Sequence, residues 1–239
     1  MDKVVVLALD PKQNFSIIQN SLFEHWAWKY SSTLGSSTIN FRPTEAFQTF
    51  PFPQNLSQHK HLETIGEVYH EHRRQLMLGM QLGLTKTYNL FHCDAITTQS
   101  INAKNKEVAS LQKHLEKTAK TISFDEAIQG ILKLRELHVQ MDTAVLDAYG
   151  WNDIQLKHGF QDVDYLPEND RTRFTIHPDA RKEVLRRLLE LNHKIHGEEI
   201  KAGLWNQKKG GKVKGYISEE DKLNIAAEPD INLGGLFKK

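Results

Sequence analysis

The sequence predicts a mainly α-helical protein, in which a bundle of helices follows a small α/β piece at the N-terminus. Three observations support this fold class. Beyond residue 54, apolar residues recur at three- and four-residue steps, the spacing of amphipathic helices. A continuous β-branched run is found at residues 3–9. Between these regions, residues 36–53 hold three prolines and four phenylalanines, a composition that cannot form one regular element.

Composition limits the class of protein. The chain has 239 residues, enough for one large or two small domains. A hydrophobic content of 39% and a charged content of 26% predict a folded chain. The formal net charge of +1 argues against a uniformly basic coat, although it leaves room for a local basic face. The single cysteine, Cys93, excludes an internal disulfide, and no apolar run reaches membrane-spanning length, so we expect a soluble cytoplasmic protein without membrane contact.

The N-terminal piece is expected to contain a buried strand at residues 3–9, and a chain that starts on a central strand suggests a start inside a domain. Residues 15–30 have one apolar stripe and predict a single helix. A short strand at residues 38–42 and a helical turn at residues 43–49 should follow. Trp26 and Trp28 are more typical of a core than of base stacking, and both interpretations stay open.

Residues 36–53 form the segment that we call the strap, and its alternating prolines and phenylalanines predict a rigid, well-packed connector. Three parts are therefore expected: residues 1–53, which end in the strap; a helical domain at residues 54–203; and a flexible basic tail at residues 204–239.

Several helix boundaries can be predicted from capping patterns. The run from Thr64 to Glu67 has the pattern of a capping box, and Gly83 resembles a helix end that leads into a loop over residues 83–92. Residues 105–120 predict a lysine-rich amphipathic helix. A second capping box, from Ser123 to Glu126, should begin the longest helix, which Gly150 should end.

Further predictions concern a histidine of the longest helix and the segments that follow that helix. His138 lies in the apolar stripe of the longest helix, where a hydrogen-bonded core histidine is the more common outcome. A short strand is expected at residues 171–176, and Pro178 should begin the last helix, which runs to about Gly197. The first turns of that helix are basic.

Several segments resemble the C-terminal part of large bacterial adenine-specific DNA methyltransferases, the fused type II-G restriction-modification enzymes and their phage-defence relatives. This family usually has Glu where Gln48 stands and Asp-Pro where Cys93-Asp94 stands. The similarity extends from about residue 15 to about residue 203. The segments that carry it are Trp26-Ala27, Tyr30-Ser31-Ser32, Phe41-Arg42-Pro43, the end of the strap at residues 47–53, residues 83–92 and residues 134–151.

The resemblance implies that the chain is a target-recognition and helical part without a catalytic domain, residues 1–53 being part of the recognition domain. It would bind double-stranded DNA, dock on a methyltransferase catalytic polypeptide, or both. Methyl transfer to adenine, with S-adenosylmethionine as cofactor, would then occur on that other polypeptide. Two alternatives stay open: a helical scaffold of a phage-defence complex with no DNA contact, and a non-functional remnant of a split gene.

The sequence contains no convincing catalytic motif. A glycine-rich S-adenosylmethionine loop, an Asn/Asp-Pro-Pro-aromatic motif, a Walker loop and a nucleophile elbow are not found, so we predict no catalytic and no cofactor-binding residues. A nuclease pattern at Pro178-Asp179 and residues 199–201 is unconvincing because both segments belong to one predicted helix. Histidines 59, 61, 70 and 72 do not predict a metal site, since side chains two residues apart on a helix diverge.

Phosphate contacts can be predicted only from charge, because base-reading side chains have no fixed motif in this chain. Arg74 could instead pair with the glutamates one turn earlier. The candidates for DNA contact are Lys29, Arg42, Arg73, Arg74, Lys86, Arg181, Lys182 and Arg186.

Overall fold

A computed structural model describes residues 5–7, 9, 13–34, 38–118 and 122–202. The predicted mainly α class is confirmed, because these residues form seven α-helices and two small two-stranded sheets. The helices are α1 Gln13–Gln19, α2 Ser21–Tyr30, α3 Lys60–Met80, α4 Leu84–Phe91, α5 Lys106–Lys117, α6 Phe124–Ala148 and α7 Pro178–Lys201. The antiparallel strands are β1 Ser32–Leu34 with β2 Thr38–Asn40, and β3 Gly159–Asp162 with β4 Thr172–Thr175.

The buried strand predicted at residues 3–9 is wrong for the residues that the structure describes there. Residues 5–7 and 9 belong to no strand, and Val6 is 86% exposed. A β-branched run needs a neighbouring strand to satisfy its backbone, and each described strand pairs only within its own ribbon. The predicted flexible tail at residues 204–239 lies outside the described residues.

The single helix predicted over residues 15–30 is two helices, and Asn20 separates them. The Asn20 side-chain oxygen accepts a hydrogen bond from the Phe23 amide at 2.9 Å and so caps α2. Its side-chain nitrogen donates to the carbonyl groups of Ser16 and Ile17 at the end of α1. Asparagine competes with the helical backbone in this way, which is why an unbroken apolar stripe did not give an unbroken helix.

The strap is fixed to the helices on several sides, in agreement with a well-packed connector. It contains a short π-helix, Pro43–Phe47, whose Ala46 carbonyl accepts a hydrogen bond from the Trp26 indole at 2.9 Å. Further along, the Tyr149 hydroxyl donates to the Pro51 carbonyl at 2.8 Å. Asn192 of α7 donates to the Thr49 carbonyl at 2.6 Å. These bonds connect the strap to α2, α7 and the end of α6.

Two boundaries near α3 and α4 differ from the prediction. Helix α3 begins at Lys60, so Thr64 lies inside it, and its hydroxyl donates to the Lys60 carbonyl instead of capping the helix. Gln81, with φ of 53°, ends α3. Gly83 is the N-cap of the next helix, and the predicted loop at residues 83–92 is mostly α4. The burial of Leu90 and Phe91 against the core stabilises this short helix.

The predictions for α5 and α6 are confirmed. Asn105 caps α5. The capping box at Ser123 and Glu126 is formed in both directions, and Gly150 follows α6 with φ of 72°. Helix α6 is the centre of the bundle, in contact with α1, α3, α4 and α5. The buried side chains of its inner face include Ile128, Ile131, Leu134, Met141 and Val145.

The C-terminal part also follows the prediction closely. Strand β4 lies within the predicted residues 171–176, and Pro178 is the first residue of α7. Helix α7 continues to Lys201, four residues past the predicted end. Two apolar clusters result. One joins α2, the strap and α7 to the end of α6, and the other joins α3, α4 and α5 to the first part of α6.

Arg135 of α6 is buried, only 5% exposed, and it connects α6 to the end of α4 through four backbone carbonyl groups. Its guanidinium also lies 4.9 Å from the Phe160 ring centre and 5.3 Å from that of Phe174, on the β3–β4 ribbon. Burial lowers the pKa of Arg135 to about 10, so the group stays charged at neutral pH. The carbonyl groups and their distances are Leu90 at 3.1 Å, Phe91 at 2.7 Å, Cys93 at 2.8 Å and Ile96 at 2.5 Å.

The Arg135→Met variant should lower the free energy of unfolding by about 3–5 kcal/mol, because four carbonyl groups lose their shared donor. Urea unfolding followed by circular dichroism measures this change. Arg74→Met is the matched control, since Arg74 forms an exposed ion pair with Glu71 on α3 and its removal should change stability little. Equal effects of the two substitutions would contradict the role given to Arg135.

Candidate functional site

A buried polar centre surrounds Asp142, a fully buried residue of α6. The Ser21 amide donates to one carboxylate oxygen at 2.8 Å, and His158 Nε2 contacts the other at 2.7 Å. Burial acts to raise the pKa of Asp142, but His138, His158 and Ser21 outweigh it, and the pKa lies below its ordinary value. The charged carboxylate is thus held by donors from α2 and from the segment before β3.

His138 contacts both Ser21 and Asp142, but not in the manner of a hydrolytic triad. Its Nε2 lies 3.0 Å from the Ser21 hydroxyl oxygen and 3.7 Å from Asp142 Oδ2. A triad needs the hydroxyl and the carboxylate on opposite ring nitrogens, whereas here Nδ1 has no hydrogen-bond partner. Ser21 is fully buried as well. The prediction of a hydrogen-bonded core histidine is therefore confirmed, and burial lowers the pKa of His138.

A cavity of about 320 Å³ adjoins this centre and lies among α2, α4, α6 and the two ribbons. Its volume is in the range of small-ligand sites. Glu24, His92 and His138 contribute titratable groups to its wall, and none of the described residues that line it is a lysine or an arginine. The aromatic side chains of the wall are Phe23, Trp28, Phe41, Tyr88, Phe91 and Phe174.

Glu24 is a titratable group of this cavity whose pKa lies near neutral pH. It is half-buried and its side chain makes no hydrogen bond with the described residues, so its carboxyl lines the cavity without a partner there. Burial raises its pKa to about 7, Asp142 adds to the rise, and Arg173 opposes it. A carboxyl that titrates near neutral pH in a cavity can bind or transfer a proton, or change its hydrogen bonding with pH.

Two further histidines near the cavity are neutral at pH 7. His92 Nδ1 accepts a hydrogen bond from the Phe174 amide at 3.2 Å, so the ring proton resides on Nε2. Burial, aided by Arg173, lowers the pKa of His92 to about 3. His25 lies 3.2 Å from the Thr175 hydroxyl, and burial lowers its pKa to about 3 as well.

A second cavity, of about 480 Å³, shares Phe174 with the first. His158, Lys157 and Asp147 are among its lining residues. Because it contains one cationic and one anionic side chain besides the histidine, its charge indicates no ligand class.

Most of the arginines predicted to contact DNA are paired with carboxylates. Arg186 contacts Glu183 and Glu190, and its neighbour Arg187 contacts Glu183 and Asp153. These pairs neutralise the basic first turns of α7. The other paired candidates are Arg42 with Glu45 at 3.5 Å, Arg74 with Glu71 at 2.6 Å, and Arg181 with Asp164 at 3.5 Å.

The remaining candidates fall into two kinds. Arg73 is turned inward, where it donates to Gln19 at 2.9 Å and to the Tyr88 hydroxyl at 3.1 Å. Lys29 is half-buried next to the Tyr30 ring, and burial lowers its pKa. Lys86 and Lys182 are exposed and make no ion pair with the residues described. Only these two keep the properties expected of free phosphate contacts.

The structure adds a basic surface that the prediction did not include, the lysine stripe of α5, formed by Lys106, Lys113 and Lys117. These lysines are exposed, without ion pairs in the described part of the chain. Their spacing of seven and four residues places them within about 40° on the helix and roughly 10 and 6 Å apart along its axis. Val108, Leu111 and Leu115 are buried on the opposite side. The lysine-rich composition of this helix was the available sequence signal.

The described residues contain no group of three or more His, Cys, Asp or Glu side chains arranged to hold a metal ion. None of their helices is both long and apolar enough to cross a membrane. Comparison with protein-family models, curated proteins and solved structures finds no match.

Glu24→Gln should change how stability depends on pH. A carboxyl with a pKa of about 7 when folded and 4.5 when unfolded takes up a proton on folding between these values. Its contribution to stability therefore rises as the pH falls from 7 to 5, and the glutamine variant lacks this gain. The free energy of unfolding of the variant, relative to the wild type, should fall by about 2 kcal/mol between pH 7.5 and pH 5.

Urea unfolding at pH 7.5, 6 and 5 provides the measurement. Glu136→Gln, at an exposed glutamate of α6, is the control and should keep the wild-type pH dependence. If the free energy of unfolding of Glu24→Gln changes across the three pH values as that of the wild type does, Glu24 has an ordinary pKa.

Proposed function

We propose that this chain is the DNA-binding, target-recognition and docking part of a restriction-modification system with an adenine-specific DNA methyltransferase. It acts together with a catalytic polypeptide that carries the S-adenosylmethionine site. The observation that supports DNA binding best is the lysine stripe of α5. The resemblance described above supports the assignment to this class of system.

The lysine stripe has the properties of a phosphate-binding surface. Its ammonium groups make no ion pair with the described residues, whereas the arginines of α7 are engaged with carboxylates. Successive lysines of the stripe lie roughly 10 and 6 Å apart along the helix axis, so each can contact a different phosphate of one strand. Such contacts bind the backbone and position the protein, but they do not read sequence. Lys86 and Lys182 are the members of the predicted set that can add to this binding.

The docking role is supported by the way in which the strap joins the N-terminal piece to the bundle. In the resembling enzymes, the corresponding segment closes the recognition domain and leads into a helical tail. Here Ala46, Thr49 and Pro51 are hydrogen-bonded to α2, α7 and Tyr149. A recognition element on the N-terminal piece would therefore be held at a fixed orientation relative to the helices that dock on the partner.

A scaffold function without DNA contact is the second candidate, and the ion-paired arginines favour it. Arg42, Arg74, Arg181 and Arg186 each lie within 3.5 Å of a carboxylate oxygen. Their charges are compensated locally, and the formal net charge of the whole chain is only +1. Association with a partner protein would then be insensitive to salt, in contrast to association with DNA.

Replacing Lys106, Lys113 and Lys117 together with glutamine should weaken DNA binding and flatten its dependence on salt. Each lost phosphate contact lowers the slope of log affinity against log salt by about 0.9, so a decrease of about 2–3 is expected. Fluorescence anisotropy with a labelled random duplex at several salt concentrations measures it. The matched control changes three paired arginines, Arg42, Arg74 and Arg186, to glutamine and should leave the slope nearly unchanged.

Three outcomes are decisive. Weaker DNA binding with a smaller salt slope in the lysine variant alone supports DNA docking through α5. Equal losses in both variants would contradict the assignment of the surface. Absence of binding by the wild type at low salt would overturn the DNA-binding proposal and favour the scaffold, and a pull-down with a methyltransferase polypeptide would then test docking alone.

A further inference from the structure

The cavity beside α2 has a chemical character of its own, independent of the DNA-binding proposal. Six aromatic side chains contribute to its wall, and its one acidic group is the Glu24 carboxyl. Phe91 and Phe174 pack edge to face with ring centres 5.6 Å apart, and Trp28 is stacked on Tyr165 at 4.6 Å. These contacts hold the rings in place, so the cavity presents fixed aromatic surfaces for a flat ligand.

The Glu24 side chain lacks a hydrogen-bond partner within the described residues, although it is half-buried among these rings. A carboxylate that loses water without gaining donors is destabilised. The same wall contains His138, which is 6% exposed and whose Nδ1 has no partner. Since Nδ1 of His138 is itself buried, the Glu24 carboxylate is the unpartnered group that a ligand with N–H groups in this cavity would satisfy.

The cavity wall also restricts the ligand class. Among the described residues no lysine or arginine lines it, so a phosphate or another anion would find no cationic partner there. His92 is a hydrogen-bond donor through Nε2, because its Nδ1 already accepts from the Phe174 amide. A ligand cation would gain nothing from this donor, whereas a carbonyl oxygen would. A flat ring that combines N–H donors with a carbonyl acceptor would fit this wall.

We propose that this cavity binds a guanine-type base, with the ring against the aromatic side chains and the hydrogen-bonding edge on Glu24 and His92. Guanine carries two adjacent N–H donors, one on the ring and one on its amino group, which match the two oxygens of a carboxylate. Its neighbouring carbonyl accepts from His92. Adenine presents an acceptor nitrogen beside its amino group, and that nitrogen repels an ionised carboxylate.

Binding of this kind requires the ionised form of Glu24, so it should weaken as the pH falls below 7. The charged or titratable groups that face Glu24 are Asp142 of α6, Arg173 of β4 and Tyr165 before β4. The pKa of Asp142 lies below its ordinary value and that of Tyr165 well above it, and the pKa values of His25 and His92 are about 3. With a pKa of about 7, Glu24 changes charge between pH 7.5 and 5.5.

The test is calorimetric titration of the whole chain with guanosine and with adenosine, together with tryptophan fluorescence, because stacking on Trp28 should quench its emission. The wild type should bind guanosine saturably and adenosine at least about tenfold more weakly. Glu24→Gln should weaken guanosine binding at least about tenfold and remove its pH dependence, since one acceptor and the charge are lost. Glu136→Gln should behave as the wild type.

The source of the base is distinguished by a second pair of ligands. A single-stranded thymidine oligonucleotide with one guanine is compared with the same oligonucleotide without it, and with free guanosine. Guanine-dependent binding in either form supports the proposal and identifies the source. The proposal would be overturned if the wild type bound neither guanosine nor the oligonucleotide in a guanine-dependent way, or if it preferred adenosine. Equal affinities of the wild type and Glu24→Gln for guanosine would also overturn it. The α5 lysine variant keeps its guanosine affinity if the cavity and the DNA surface are independent.

Discussion

The buried guanidinium of Arg135 is the interaction on which the centre of the structure depends. It lies on α6, yet its hydrogen bonds are made to the end of α4 and the loop that follows. The last carbonyl groups of a helix have no partners within the helix, and a short helix such as α4 needs them satisfied from outside. Arg135 supplies these donors, and its stacking on Phe160 and Phe174 positions the β3–β4 ribbon against the same point.

The walls of the cavity follow from this arrangement. Phe91 and His92 stand at the end of α4, and Phe174 is on β4, so all three are oriented by groups that Arg135 contacts or stacks on. Asp142 lies two turns further along α6 and carries the opposite charge, held by Ser21 and His158 rather than by Arg135. Helix α6 thus contains two separately satisfied buried charges, and both are compensated by polar groups from neighbouring elements.

On the surface, arginine and lysine side chains differ in whether a nearby carboxylate compensates their charge. Arg74 of α3 and Arg186 and Arg187 of α7 bond to glutamates one turn away, where planar guanidinium and carboxylate groups match in geometry. The lysines of α5 make no ion pair with the described residues, and Glu116 of the same helix accepts a hydrogen bond from Gln112. A nearly neutral chain can therefore present one local basic surface and one acidic, aromatic cavity, which suit ligands of different chemistry.

The sequence alone determined the mainly α class, the capping box that begins α6, the start of α7 at Pro178 and the lysine-rich character of α5. Each of these depends on contacts within a few residues, so local spacing is sufficient to predict it. The break at Asn20, the helix at residues 84–91, the burial of Arg135 and the environment of Glu24 were decided by tertiary structure. Some of these features depend on groups 39 or more residues away, and others on a choice between capping and continuation. No local pattern encodes which distant carbonyl, ring or charge will be the neighbour.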